Sequence, residues 1–182
     1  MEPVTTDPKG EARRMSGNTS ALAKPRRFRE MAAYVTGFID GEGSFLVSFH
    51  RRSGLVTGIE VRPSFSVSQH KRNVGILQGI RDDFNCGAIR FDRHDQTYTY
   101  EVRSLNDVWR QIIPHFRWMP LRTAKKKDFD AFVEICSLMK MNRHRSREGI
   151  EQILSLAYSM NNYGARKYKL HDLLQIVRKK KV

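Results

Sequence analysis

From Phe28 onward the apolar positions keep a helical spacing. Phe28, Met31, Ala32, Val35 and Ile39 fall at i, i+3, i+4, i+7 and i+11, the stripe of an amphipathic helix. Pro25 stands just ahead of it, where proline is tolerated, and the helix must end around Gly41–Gly43. The period then drops to two. In "SFLVSFHRR", Phe45, Val47 and Phe49 take one face and Ser48, His50 and Arg52 the other. "SGLVTG" supplies a loop, and in "VRPSFSVSQ" Val61, Phe65 and Val67 oppose Arg62, Ser64, Ser66 and Ser68. These are strand patterns. Residues 73–84 return to helix, with Leu77, Ile80 and Phe84 on its stripe. "CGAIRFDRHDQTYTYEVRS" reads as a hairpin: Ile89 and Phe91 oppose Arg90 and Asp92, while Tyr98, Tyr100 and Val102 oppose Thr97, Thr99, Glu101 and Arg103. Ser104 can cap the next helix, which buries Leu105, Val108, Trp109, Ile112 and Phe116 until Pro120 breaks it. Three further stripes follow: Phe129, Phe132, Val133 and Cys136; Ile150, Ile153, Leu154 and Ala157; Leu170, Leu173, Leu174 and Val177.

The order is therefore αββαββα with extra C-terminal helices. Every strand has one apolar and one polar side, so the sheet packs helices on one face only. That is an α+β fold, with both ββ units joined in one four-stranded antiparallel sheet. Residues 1–24, rich in Pro, Gly, Ser and Thr and without periodicity, read as a flexible tail. Residues 25–182 read as a single domain, since 182 residues suit one buried core.

Charge changes the picture of the sheet's polar side. Lys and Arg number 33 against 19 acids, a formal net charge of +14, which points to a polyanion such as nucleic acid, with an anionic membrane surface as the rival. No apolar run approaches the ~18 residues of a spanning helix, and no signal-peptide pattern opens the chain. The polar side carries Ser48, His50, Arg52, Arg62, Ser64, Ser66, Ser68, Arg90, Asp92, Thr97, Thr99, Glu101 and Arg103. These are donors and acceptors suited to base edges and phosphates, and a β-ribbon fits the major groove, about 12 Å wide. An ordinary solvated face is the plainer alternative, but it usually shows more Lys and Glu and fewer Ser. Cys86 and Cys136 make neither a disulfide framework nor a zinc site and read as reduced thiols of an intracellular protein. The six His residues lack ligand spacing.

In this basic chain, "VTGFIDGEGSF" places Asp40 and Glu42 between glycines at the C-terminal end of the first helix. The macrodipole disfavours each carboxylate there by roughly 0.3–1 kcal/mol, and partial burial would add to this. A hard divalent cation would offset both, taking carboxylate, phosphate and water oxygens. Metal-assisted phosphodiester hydrolysis is the chemistry such a meeting of acid and phosphate surface implies. A helix–strand corner with merely exposed acids is the structural alternative. Ala33, Thr36, Gly37, Asp40 and Gly41 share one side of the helix, and small residues there let another backbone approach closely.

The stretch Val35 to Gly43, with Ser44 and Phe45 trailing, resembles the LAGLIDADG motif of homing endonucleases position by position. "PLRTAKKKDFDAFVEI" and "EGIEQILSLAYSMN" are similar to later segments of that family, and the likeness covers about residues 28–162. It implies a saddle-like sheet and two motif helices packed through their small residues, here Ala33, Thr36, Gly37 and Asp40. It implies that Glu42, in place of the commoner Asp, holds Mg²⁺ (or another divalent cation such as Mn²⁺) with the backbone carbonyl of Gly41, while Asp40 caps or braces the helix end. Gln69 matches the family's water-organising residue. Asn73 stands where a basic residue is usual, with Lys71 and Arg72 nearby. The family's active-site lysine maps to Lys125, with Lys126 as the fallback. One copy of the motif is present, and "YGARKYKL" lacks both acids. The resemblance thus implies a homodimer that cuts a roughly palindromic double-stranded DNA target, with intron RNA as a further partner it allows. The alternative on the same fold is a catalytically inactive nucleic-acid-binding protein, an RNA maturase or transcription regulator. "RHRSREG" and "RKKKV" read as solvated charge runs or as supplementary phosphate contacts.

Overall fold

The computed structural model describes residues 26–161 and 165–179; the tail expected over residues 1–24 lies outside them. Helix α1 (Arg26–Glu42) buries Ala32, Val35, Thr36 and Ile39 and passes with no intervening residue into β1 (Gly43–Arg51). Glycine makes that junction possible. A Cβ on Gly43 would lie 2.5 Å from Cγ2 and 2.9 Å from the carbonyl oxygen of Ile39.

Strand β1 pairs antiparallel with β2 (Ile59–His70), Phe45 opposite Phe65 and Ser48 opposite Arg62. A short 3₁₀ turn (Lys71–Asn73) leads into α2 (Val74–Phe84). Strands β3 (Ala88–Asp92) and β4 (Thr97–Val102) form the second hairpin, and β4 pairs with β2. The four-stranded sheet has the order β1-β2-β4-β3, as the two ββ units predict. The predicted helix after Ser104 is continuous but not uniform: α3 (Leu105–Asp107) widens into a π-helical turn (Val108–Ile112) before α4 (Ile113–Trp118). Pro114 has no N–H for the carbonyl one turn back and crowds it, so the ladder is wound wider just ahead of it. Helices α5 (Lys125–Lys140), α6 (Arg147–Ser159) and α7 (Leu170–Lys179) complete the chain.

The core lies between the sheet's apolar face and these helices. Phe45 is its centre, with ring centroids 5.4 Å from Phe65, 5.5 Å from Phe116, 5.1 Å from Phe129 and 5.4 Å from Phe132. The cover thins at β3, where Phe91 stays exposed and stacks on Tyr98 at 4.6 Å. At the other edge Asn161 donates from Nδ2 to the Phe45 carbonyl at 2.8 Å, engaging a backbone group of an edge strand that would otherwise invite pairing. Among the described residues no helix is long and apolar enough to cross a membrane.

Candidate active site and nucleic-acid interface

The two acids at the end of α1 have opposite surroundings. The Asp40 carboxylate accepts from the backbone N–H of Arg122 at 2.8 Å, the N–H of Thr123 at 3.2 Å and the Thr123 hydroxyl at 2.6 Å. Slight burial works to raise its pKa, but the Thr123 hydroxyl, the two N–H donors and the nearby Lys125 charge outweigh it, holding the carboxyl below the usual aspartate range. It ties α1 to the chain just ahead of α5, much as an N-cap would. Glu42 is exposed and makes no hydrogen bond or ion pair with any described residue.

Lys125 comes from the first turn of α5 and lies half-buried beneath the end of α1. Its ammonium donates to the carbonyls of Ile39 at 3.1 Å, Gly41 at 3.3 Å and, more closely, Gly43. The Ile39 and Gly41 carbonyls are among those a helix C-terminus leaves unpaired, while Gly43 opens β1. Burial lowers the Lys125 pKa, and the Asp40, Glu42 and Asp128 charges oppose that without cancelling it. Lys126 instead faces solvent, paired with Asp130 at 2.6 Å. Gln69 sits at the far end of β2. Because Gly43 pairs with Val67, β2 runs on past that pairing toward the end of the sheet where α1 delivers Glu42. Asn73 donates from Nδ2 to Gln69 Oε1 at 3.2 Å, so the residue standing where a basic one is usual holds the glutamine amide instead.

The donor set suits a hard cation in part. A free carboxylate and an adjacent carbonyl are oxygen ligands of the kind Mg²⁺ takes. Among the described residues, however, no three His, Cys, Asp or Glu side chains gather to hold a metal. Glu42 and Gly41 can form one side of a site, with phosphate and water oxygens supplying the rest.

The residues assigned to the polar face do share it. Ser66 lies between Ser44 and Glu101, Ser68 opposite Thr99, Arg90 opposite Thr99 and Asp92 opposite Thr97. Two carboxylates organise four guanidiniums: Glu60 takes Arg52 and Arg62, both at 3.0 Å, and Glu101 takes Arg90 at 2.8 Å and Arg103 at 2.9 Å. The hydrogen bond from Arg62 leads in lowering the Glu60 pKa, slight desolvation opposes it, and Arg52 adds to it. Ser68 and Thr99 share a hydrogen bond of 2.7 Å. Asp92 is partly committed to its own turn, accepting from the His94 N–H at 2.8 Å. Sequence reasoning missed Leu46, Glu60 and His70, which lie opposite Ser64, His50 and Thr97 on this face. The same alternation would have found them had β1 and β2 been read at full length and Leu46 not been set aside as apolar.

Of the expected seam residues, Ala33 and Gly37 are exposed, with open space where a Gly37 Cβ would stand. Thr36 differs. It is buried, its hydroxyl 3.0 Å from His115 Nε2, so it faces its own chain. A groove of about 390 Å³ runs along this side, bordered by Ala33, Thr36, Gly37, Asp40, Met119, Pro120 and Arg122.

A helix-to-strand acid corner beside a polar, arginine-rich face of a four-stranded antiparallel sheet defines this chain's α+β class. The LAGLIDADG endonuclease family profile matches residues 35–136, more than half of the chain, and the chain belongs to that family. It is 32% identical over 130 residues to a probable intron-encoded endonuclease 2 of Neurospora crassa, which covers 71% of this chain but 29% of that protein. An archaeal intron-encoded homing endonuclease, I-Vdi141I, solved in complex with DNA, superposes with a TM-score of 0.77 at 29% identity, over 84% of this chain and 97% of its own. I-SmaMI, solved bound to cleaved DNA, gives a TM-score of 0.73 at 30% identity, over 82% of this chain and 48% of its own. The chain thus spans under a third of the Neurospora relative, about half of I-SmaMI and nearly all of I-Vdi141I.

Proposed function

We propose that this protein is a site-specific homing endonuclease that hydrolyses phosphodiester bonds of double-stranded DNA with a divalent cation, acting as a homodimer on a roughly palindromic target. The observation that carries this reading is Glu42: an exposed carboxylate at the negative end of a helix, with no hydrogen bond or ion pair to any described residue, on a chain whose sheet has an arginine-rich face. A structural acid would have a partner like those of Asp40.

The polar face enters the major groove, and Arg52, Arg62, Arg90 and Arg103, held by Glu60 and Glu101, present fixed forks to guanine edges or phosphates. Glu42 and the Gly41 carbonyl would hold Mg²⁺ or Mn²⁺, with phosphate and water oxygens completing the ligand set. When bound, the cation supplies an activated water and stabilisation of the leaving oxygen. Gln69, its amide held by Asn73, orients water at the site, and Lys125 places positive charge beside the phosphate. The Ala33–Gly37 side meets its equivalent on a second copy, so the two Glu42 sites flank a two-fold axis.

The test is selection of cleaved sites from a randomised duplex pool in Mg²⁺, wild type against Glu42→Gln. Wild type should enrich one roughly palindromic sequence, with Glu42→Gln slower by roughly a hundredfold or more yet binding the same DNA. Sequence-specific binding without cleavage by either protein would favour a maturase or regulator, and intron RNA would then be the partner to try.

A further inference from the structure

We propose that in the DNA-free protein the Lys125 ammonium occupies the place of the divalent cation at the end of α1, so that cation binding waits for DNA. This rests on the reading above that Glu42 and the Gly41 carbonyl are the cation's protein ligands. Three backbone oxygens converge on Lys125 Nζ, and one of them is the Gly41 carbonyl, at 3.3 Å. The other two, from Ile39 and Gly43, lie on either side of it in sequence. An ammonium with three N–H donors matches three carbonyls and answers the negative pole of the helix. It does what a bound cation would do there, from a side chain anchored at the first residue of α5.

The two cations compete because they would be close. An Mg²⁺ about 2.1 Å from the Gly41 oxygen lies no more than about 5.4 Å from an ammonium 3.3 Å from the same atom. At that separation, in a partly buried setting, like charges repel strongly. Of the three acids whose charges reach Lys125, Asp40, Glu42 and Asp128, the first is committed to its own hydrogen bonds: its oxygens already accept from Arg122 and Thr123 and are not free as cation ligands. A DNA phosphate supplies further negative charge. It also gives Lys125 a new partner, releasing the Gly41 carbonyl. Cation binding and DNA binding are thereby coupled through one flexible side chain, and the free protein is kept from assembling its reactive centre on its own.

The coupling is measured without DNA and without cleavage. Mn²⁺ alone is titrated into the full-length protein, and free Mn²⁺ is read by electron paramagnetic resonance. Lys125→Met removes charge and donors; Lys125→Gln removes the charge and keeps an N–H donor for the carbonyls. Both should bind Mn²⁺ about tenfold or more tighter than wild type, and adding Glu42→Gln to either should abolish the gain. Folded variants with wild-type affinity would overturn the proposal. So would a gain that survives Glu42→Gln. A second measurement uses the wild type itself: in acylation by a small activated ester, read by mass spectrometry, Lys125 must be spared relative to Lys126 and Lys127. Equal labelling of the three would overturn the proposal even if neither variant folds. Failure of the nuclease reading shows differently, as wild type that cuts no DNA in the pool selection whatever these titrations give.

Discussion

Gly43 carries the change from helix to strand because nothing larger fits beside Ile39. Ile39 is fully buried, and a Gly43 methyl would press on its Cγ2 at 2.5 Å and its carbonyl at 2.9 Å. Gly43→Ala should therefore cost about 1–3 kcal/mol in urea unfolding, the range for overpacking a filled core; an unchanged midpoint would show that the junction can relax. Asp40 supports the same corner from the other side. Its folded carboxyl titrates below the ordinary aspartate value of 3.8, so its contribution is fully present above that value and is lost as pH falls through the lower folded one. Asp40→Asn should cost about 1 kcal/mol near neutrality, as loss of a helix cap does, and the gap to wild type should close below pH 3.8. A gap that persists in strong acid would mean the carboxylate's charge is not what holds Arg122 and Thr123. The motif placed Asp40 as a brace in sequence terms, but its target did not show there, because the donors lie 82 and 83 residues away.

At the scale of elements, alternation alone separated the two sides of the sheet, since a period of two leaves a strand residue only two directions. The ion pairs on the polar side were not legible in the same way. Glu101 reaches Arg90 across strands only because β3 pairs with β4 in a particular register, which the whole sheet sets; Arg103 is two residues along the same chain, on the same side by alternation. The π-helical turn at Val108–Ile112 was hidden for a related reason: a stripe of Leu105, Val108, Ile112 and Phe116 looks the same whether or not one turn is wide. Glu101 gives a prediction at this scale. Its carboxylate fixes the forks of two arginines, so Glu101→Gln should leave non-specific DNA affinity intact or stronger while discrimination between target and mismatched bases falls, by about 1–3 kcal/mol for each fork set loose. Competition binding against single-base variants of the selected site measures this. Unchanged base preferences with weaker overall binding would instead assign Glu101 to folding of the hairpin.

For the whole molecule the question is how many copies make one working unit. The chain spans about half of I-SmaMI and 97% of I-Vdi141I, and in the function proposed above a second copy brings the second Glu42. The sequence pointed to the small side of α1 as the seam. On that side Ala33 and Gly37 are exposed, while the Thr36 hydroxyl is turned toward His115 of its own chain. Gly37 separates assembly from folding. A Cβ there would meet nothing within 4 Å in the single chain, and glycine is roughly 0.8–1 kcal/mol less favourable in a helix than alanine, with arginine close behind alanine. Gly37→Arg should thus fold at least as stably as wild type, yet place a long cation where two α1 helices would have to touch. Sedimentation of each protein with a fluorescent duplex of the selected site should find two copies of wild type per duplex and one of Gly37→Arg, with cleavage lost and half-site binding retained. If Gly37→Arg still sediments as two copies on the duplex, the seam lies elsewhere, and the exposed Phe28, Tyr34 and Trp118 become the surface to mutate next.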